Sequence, residues 1–213
     1  MKFNKEDLLV YAITDEVRRS EEEWEKILIP MFEAGIRILQ LREKHASRDE
    51  FVSSARKLAE ICHKHGAKLI VNDDARTCIE AGADGVHLGQ DDMPITDARR
   101  LLGDDYIIGA TAHNIAEAKK ACEEGADYVG VGAAFGSSSK LDARPIELDE
   151  YKIISDNISI PMVAIGGINL ENMDKLSGSG ADGVAVISAL FAKEDVRAAA
   201  DALMAKSRSL FGN

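Results

Sequence analysis

Short apolar segments alternate with longer amphipathic segments along the chain. Eight of the apolar segments have the length of buried strands. They are Leu9–Thr14, Ile36–Leu41, Lys68–Val71, Gly85–Leu88, Tyr106–Gly109, Tyr128–Val131, Met162–Ile165 and Gly183–Val186. Between them, helical periodicity predicts long helices over Glu21–Glu33, Asp49–His65, Ile115–Glu124 and Asp195–Ser209, and short ones at Thr77–Glu80 and Thr96–Leu102.

The order of these segments predicts a barrel. Four similar segments place Gly just past a helix, at the left-handed cap position, and lead into the next strand. They are Glu33–Ile36, Glu80–Val86, Glu123–Val129 and Gly178–Val184. No Pro- or Ser-rich linker separates two halves, so we expect one domain over residues 1–213, a (β/α)8 TIM barrel. A doubly wound open sheet is the alternative, but no Gly-x-Gly-x-x-Gly follows the first strand.

Polar residues are concentrated where the predicted strands end, which is where a TIM barrel carries its chemistry. The segments that follow strands two to eight are Gln40–Lys44, Asn72–Asp74, His87–Asp92, Gly109–His113, Gly132–Lys140, Gly166–Asn169 and Ile187–Leu190. The opposite strand ends carry mostly Gly, Ala and solvating charge. The active site is therefore predicted at the carboxyl ends of the strands.

The end of the second strand predicts an anion site. Side chains alternate along a strand, so Gln40, Arg42 and Lys44 share one face, while Leu39 and Leu41 take the other. The formal net charge of the chain is −11. Two cations that converge in such an acidic chain indicate a receptor for phosphate or diphosphate. The acidic balance argues against nucleic acid as a partner.

Two aspartates follow neighbouring strands and predict a metal site. Asp73 and Asp92 lie a strand spacing apart, where they can share one Mg²⁺ that takes further ligands from water and a diphosphate. The alternative is structural: Asp73 caps a helix, and Asp91 and Asp92 form a turn.

A second phosphate site is predicted after strands seven and eight. Gly166-Gly167 and Ile187-Ser188 match the usual TIM-barrel site, in which backbone N–H groups and a short helix start receive a phosphate. The loop Ser137–Lys140 is rich in hydroxyl groups and ends in a cation, which favours a mobile phosphate-binding lid over a plain linker.

Other features restrict the class of protein. Cys62, Cys78 and Cys122 have no metal-ligand spacing and are interpreted as small helix residues. His87 is interpreted as a hydrogen-bonded structural residue and His113 as a capping or supporting group. No membrane-spanning segment or signal peptide is present in the sequence, and we expect a cytoplasmic protein. The oligomeric state stays open, a homodimer included.

Taken together, the motifs resemble those of the thiamine phosphate synthase family. Three segments in particular match it closely, and they are Gln40–Lys44, Asn72-Asp73 and Gly85–Asp92. The resemblance implies a transferase that joins 4-amino-5-hydroxymethyl-2-methylpyrimidine diphosphate to 4-methyl-5-hydroxyethylthiazole phosphate. The products are thiamine phosphate and pyrophosphate, and the substitution is dissociative and assisted by Mg²⁺.

The resemblance also implies roles for individual residues. Pyrimidine diphosphate would be bound by Gln40, Arg42, Lys44, Asn72, Thr111 and Lys140, of which Arg42, Lys44 and Lys140 stabilise the leaving pyrophosphate. One Mg²⁺ per subunit would be bound by Asp73 and Asp92. Thiazole phosphate would be bound by Ser137, Ser139, Gly167, Ile187 and Ser188.

The chain departs from the family pattern at two places. Thr111 stands where the family usually has Ser, and we expect a small effect because the hydroxyl is kept. Gly132–Lys140 lacks the family's Pro and has Ser for both of its Thr, so we expect a more mobile loop and an altered thiazole affinity. The alternatives are a thiazole tautomerase, which needs no diphosphate site, and a non-catalytic phosphate sensor.

Overall fold

The computed structural model describes residues 4–136 and 146–212. Eight parallel strands form a closed barrel in sequence order, as predicted, and each pairs with its neighbours in the chain. From β1 to β8 the strands are Val10–Ile13, Ile38–Leu41, Lys68–Asn72, Gly85–Leu88, Ile107–Ala112, Tyr128–Gly132, Met162–Ile165 and Gly183–Val186. The open doubly wound sheet is therefore excluded.

Helices follow the strands. From α1 to α8 they are Glu21–Glu33, Arg48–Lys64, Ala75–Ala81, Ile95–Leu102, Ile115–Glu123, Leu148–Ser155, Ser188–Phe191 and Val196–Phe211, with 3-10 turns at Lys5–Leu8 and Met173–Leu176. None of the helices in these described ranges is long and apolar enough to cross a membrane. Cys62, Cys78 and Cys122 lie on helices α2, α3 and α5, as predicted.

The structure differs from the predicted elements most clearly at β5 and α6. The fifth strand extends three residues beyond the predicted end at Gly109, to Ala112. The additional residues are Ala110, Thr111 and Ala112. Alanine is depleted in strands, but pairing with β6 keeps the segment extended. Thr111 therefore lies on a strand rather than in the following loop. Helix α6 was not among the predicted helices.

Side chains alternate between two apolar layers. On β2, Leu39 and Leu41 pack outward against the helices, while Ile38 points into the barrel. Gln40 points inward as well, because its amide reaches the Tyr11 hydroxyl there. The predicted division of this strand into two faces is confirmed. The inner layer is completed by Leu8, Tyr11, Ile13, Ile70, Ile107, Tyr128, Val163 and Ala185.

The repeated segments before β4, β6 and β8 have a structural reason at the amino-terminal rim. In each, an aspartate carboxylate accepts a 2.8 Å hydrogen bond from a backbone N–H on the preceding strand. The pairs are Asp84 with Leu69, Asp127 with Ile108, and Asp182 with Met162. Each aspartate also has a basic partner, respectively His63, Arg99 and Lys5. The repeat therefore joins neighbouring strands, β3 to β4, β5 to β6 and β7 to β8, and the opposite rim remains for chemistry.

Candidate active site

The carboxyl ends of all eight strands surround one cavity of about 470 Å³. Ten of the residues predicted from the sequence line it. They are Gln40, Arg42, Lys44, Asn72, Asp73, Asp92, Thr111, Gly167, Ile187 and Ser188. Ser137, Ser139 and Lys140 lie outside the described residues. The cavity thus brings together the described residues of both predicted subsites, while their roles stay predictions.

A cationic strand end, Arg42 and Lys44, forms one wall of the cavity. The Arg42 guanidinium forms an ion pair with Glu16 of the loop after β1, and its side chain is only 16% exposed. Its backbone N–H donates to the Thr14 hydroxyl over 2.9 Å, which joins the ends of β1 and β2. Glu43 lies on the other face of the strand, where Ser54 of α2 donates a hydrogen bond to its carboxylate. Arg42 is therefore held by a carboxylate that an anionic ligand would have to replace.

Asp73 is not a helix cap. Asp74 caps α3, because its carboxylate accepts from the backbone N–H groups of Arg76 and Thr77, at 2.9 and 3.3 Å. Asp73 has a φ of 68°, a left-handed conformation, and its side chain lines the cavity. The Asp92 carboxylate accepts a 2.6 Å hydrogen bond from Gly89 N–H, so the turn alternative holds for Asp92. This turn directs Asp92 towards the same cavity.

Asp73 and Asp92 form an acid pair with unfavourable electrostatics. Burial, the hydrogen bond between the two carboxyl groups and repulsion from Asp92 raise the pKa of Asp73 from 3.8 to about 6. Lys44 and Arg42 oppose this rise without cancelling it. A divalent cation between the two carboxylates would remove the repulsion.

The donor set of the acid pair fits Mg²⁺. Both ligands are carboxylates, the hard oxygen donors that Mg²⁺ prefers. Within residues 4–136 and 146–212, no group of three or more His, Cys, Asp or Glu side chains is placed to hold a metal. A Mg²⁺ held by two carboxylates would keep water or phosphate oxygens as its other ligands, as Mg²⁺ in phosphate-binding sites usually does.

A glycine turn forms part of the opposite wall of the cavity. Gly166 and Gly167 have φ values of 109° and 63°, and a Cβ on Gly167 would lie 2.9 Å from the Gly136 carbonyl oxygen. Only glycine fits this turn. Ile187 and Ser188 begin the short helix α7 on the neighbouring strand end. This wall therefore contains the glycine turn and the helix start at which the sequence predicts a phosphate site, and that role stays a prediction.

The floor of the cavity contains residues that sequence reasoning missed. Tyr11 and Gly130 line the cavity, and Tyr128 lies beneath it. His87 is hydrogen-bonded on both ring nitrogens, to the Tyr128 and Thr111 hydroxyls, as expected of a structural histidine. Asn114 is the N-cap of α5, so His113 is not the cap. The backbone N–H of His113 donates to the Glu117 carboxylate in the first turn, which leaves the supporting role. The signal for the tyrosines was their inward position on apolar strands, where a hydroxyl needs a partner.

A closed parallel barrel with a charged cavity at the carboxyl ends of its strands defines a TIM-barrel enzyme that handles phosphorylated ligands. The family model for thiamine monophosphate synthase matches residues 10–190. The chain belongs to this family of enzymes.

Individual relatives agree with the family. The thiamine-phosphate synthase of Fusobacterium nucleatum is 41% identical and covers 93% of this chain and 96% of its own. That of Chloroflexus aurantiacus is 43% identical, over 93% of this chain and 92% of its own. The solved structure of thiamine phosphate pyrophosphorylase from Pyrococcus furiosus has a TM-score of 0.87 and 35% identity, and covers 98% of this chain and 99% of its own.

Proposed function

We propose that this cavity joins 4-amino-5-hydroxymethyl-2-methylpyrimidine diphosphate to 4-methyl-5-hydroxyethylthiazole phosphate and releases pyrophosphate and thiamine phosphate. One observation carries the proposal. The cationic strand end and the acid pair follow β2, β3 and β4, whereas the glycine turn and Ser188 follow β7 and β8. In a closed barrel of eight strands in sequence order, these two groups face each other across the mouth. The cavity therefore offers separate places for a diphosphate and a monophosphate.

The reaction breaks the bond between the pyrimidine methylene carbon and the diphosphate oxygen. The thiazole ring nitrogen forms the new bond with its own lone pair, and the bonding electrons leave with pyrophosphate. The aminopyrimidine ring can delocalise positive charge at the methylene carbon, so a dissociative substitution needs no nucleophile from the protein. Arg42 and Lys44 bind the oxygens on which negative charge develops, and the two walls align the reactants.

The proposal includes one Mg²⁺ per subunit, held by Asp73 and Asp92. The raised pKa of Asp73 and the carboxylate donor set support this assignment. When bound, Mg²⁺ supplies positive charge that stabilises the departing diphosphate. Asn72 and Thr111 complete the pyrimidine side, and Gly167 lies on the thiazole side.

Three residues outside the described ranges belong to the same proposal. Lys140 would contact the pyrophosphate, and Ser137 and Ser139 the thiazole phosphate, as the family resemblance implies. Sedimentation of the purified protein tests the homodimer that the sequence leaves open.

The test is to incubate the protein with both substrates and Mg²⁺ and to follow thiamine phosphate by chromatography. Arg42→Ala should abolish most of the product. Arg48→Ala is the matched control, because Arg48 is an exposed arginine on α2 that pairs with Glu80 away from the cavity. Isomerisation of a thiazole carboxylate phosphate, without any thiamine phosphate, would instead establish the tautomerase alternative.

A further inference from the structure

A chain of hydrogen bonds crosses the interior of the barrel beneath the cavity. Gln40 donates from Nε2 to the Tyr11 hydroxyl over 2.9 Å, and the hydroxyls of Tyr11 and Tyr128 are 2.8 Å apart. The Tyr128 hydroxyl lies 3.0 Å from Nδ1 of His87, whose Nε2 lies 3.0 Å from the Thr111 hydroxyl. The chain joins five strands, β1, β2, β4, β5 and β6, and its two ends are predicted pyrimidine-site residues.

Tyr128 occupies the middle of this chain without reaching the ligand space. Tyr11, Gln40, His87 and Thr111 line the cavity, whereas Tyr128 is fully buried beneath it. Gly109 makes room for its ring, since a Cβ there would lie 2.1 Å from Cζ of Tyr128. Any effect of Tyr128 on a ligand must therefore pass through its neighbours.

The hydrogen bonds can run in one direction, from Gln40 to Thr111, because each hydroxyl has one proton to donate. Burial raises the pKa of both tyrosines, so both keep that proton. Tyr11 receives a hydrogen bond from Gln40 and can pass its own proton towards Tyr128. In this direction Tyr128 donates to Nδ1 of His87, and the imidazole proton lies on Nε2, directed at Thr111. The reverse direction, in which Tyr128 donates to Tyr11, would instead place the imidazole proton on Nδ1.

The direction from Gln40 to Thr111 sets what the two ends offer a ligand. Gln40 uses Nε2 within the chain, which leaves its Oε1 as an acceptor for the cavity. Thr111 accepts from His87, which leaves its hydroxyl proton as a donor. An aminopyrimidine needs an acceptor for its amine and a donor for a ring nitrogen, and the cavity floor presents this pair.

We infer that Tyr128 is a positioning residue for the pyrimidine ring: its hydroxyl sets the tautomer of His87 and the donor and acceptor presented by Thr111 and Gln40. The inference rests on the proposed function for the identity of the ligand. It does not depend on that function for the tautomer of His87, which is a property of the protein alone.

Tyr128→Phe tests the inference, with Tyr151→Phe as the matched control. The Tyr151 hydroxyl is also buried and donates a 2.9 Å hydrogen bond to the Val131 carbonyl oxygen, but it does not belong to the series of hydrogen bonds beneath the cavity. In Tyr128→Phe the KM for the pyrimidine diphosphate should rise by roughly tenfold, the effect of about one lost hydrogen bond, while the KM for thiazole phosphate stays within about twofold. Tyr151→Phe should leave both KM values unchanged.

Nitrogen-15 NMR of histidine-labelled protein supplies a readout that needs no substrate. The His87 signals, assigned with His87→Gln, should show a proton on Nε2 in wild type and in Tyr151→Phe. In Tyr128→Phe the loss of the donor at Nδ1 should produce a mixture of tautomers. If Tyr128→Phe does not fold, Tyr11→Phe interrupts the chain one bond earlier and should also raise the pyrimidine KM.

The outcomes separate the two proposals. A wild-type protein that forms no thiamine phosphate refutes the proposed function alone, because the tautomer is measured without substrate. A wild-type His87 with its proton on Nδ1 overturns the positioning inference. The inference is also overturned if the His87 tautomer and the KM values of Tyr128→Phe match those of Tyr151→Phe. If only Tyr11→Phe folds, an unchanged KM for the pyrimidine diphosphate in that variant overturns it.

Discussion

Asp73→Asn should stabilise the metal-free protein while it removes the metal response. The substitution keeps the size of the side chain and replaces one of the two repelling carboxylates by a neutral amide. Asparagine also tolerates the left-handed backbone of this position, where φ is 68°. The perturbation is therefore almost purely electrostatic.

The magnitude follows from the pKa of Asp73. The pKa of an aspartate in the unfolded chain is about 3.9, whereas the pKa of Asp73 in the folded protein is about 6. The folded state binds the proton more tightly, so the free energy of unfolding falls as the pH rises from about 4 to about 6. This difference in pKa corresponds to about 3 kcal/mol of stability, and solvent screening of the half-buried carboxyl group reduces it to about 1–1.5 kcal/mol.

Urea unfolding at pH 8 in the presence of a chelator measures this difference. Asp73→Asn should be about 1–1.5 kcal/mol more stable than wild type there, with the difference vanishing near about pH 4. Saturating Mg²⁺ should stabilise wild type and have much less effect on the variant.

Asp74→Asn is the matched control. It makes the same change of charge one residue away, and asparagine is as good a helix cap as aspartate. Although burial opposes it, hydrogen bonds from Thr77 and Arg76 lower the pKa of Asp74, so the ionised form is favoured in the folded state. Asp74→Asn should therefore not stabilise the protein, and it should retain the Mg²⁺ response.

Two results would refute the reasoning. If Asp73→Asn is no more stable than wild type at pH 8 without metal, the acid pair does not repel as the structure indicates. If Mg²⁺ stabilises wild type and variant equally, Asp73 is not a ligand. Because both results come from unfolding curves, they do not depend on the activity of the enzyme.

Three further substitutions test other parts of the site. Arg42→Ala should weaken binding of the pyrimidine diphosphate by about 1.5–3 kcal/mol, as expected for a charge-assisted contact. Calorimetry should show little change in the binding of thiazole phosphate, and equal losses of affinity for both ligands would contradict the division of the site. Glu16→Gln removes the carboxylate that holds Arg42 and should tighten binding of inorganic pyrophosphate with Mg²⁺ by up to about fivefold, whereas weaker binding would mean that Glu16 orients the arginine. Asp127→Ala leaves the Ile108 N–H and Arg99 without their carboxylate partner and should lower the free energy of unfolding, measured in urea, by about 1–3 kcal/mol. Both KM values should stay unchanged if the role of Asp127 is confined to the rim.

The sequence predicted the barrel and the position of the cavity because both depend on local patterns. Strand and helix periodicities alternate clearly, and charge is concentrated at one end of the strands. Gln40, Arg42 and Lys44 could be assigned to one face because a strand of known direction alternates its side chains. Their convergence with Asp73 required only that neighbouring parallel strands end on the same side.

Contacts between individual side chains on distant segments could not be predicted. The ion pair between Glu16 and Arg42 depends on where the loop after β1 lies. The contact between Tyr11 and Tyr128 spans 117 residues and depends on the diameter of the closed barrel. Thr111 was placed after the fifth strand because the alanines on either side of it give little strand signal, and its pairing with β6 makes it a strand residue.

The inward positions of the strands explain why the cavity has two unlike halves. On β2, β3 and β5 the inward residues change from Ile38, Ile70 and Ile107 deep in the barrel to Gln40, Asn72 and Thr111 at the cavity. At the ends of β1 and β7 and directly after β8 the inward residues are apolar, with Ile13, Ile165 and Ile187 lining the cavity. In the proposed function, the apolar half packs against the thiazole ring, while the glycine turn and Ser188 contribute to binding its phosphate. A substitution in one half should therefore change the KM for one substrate, which is why the two halves can be tested separately.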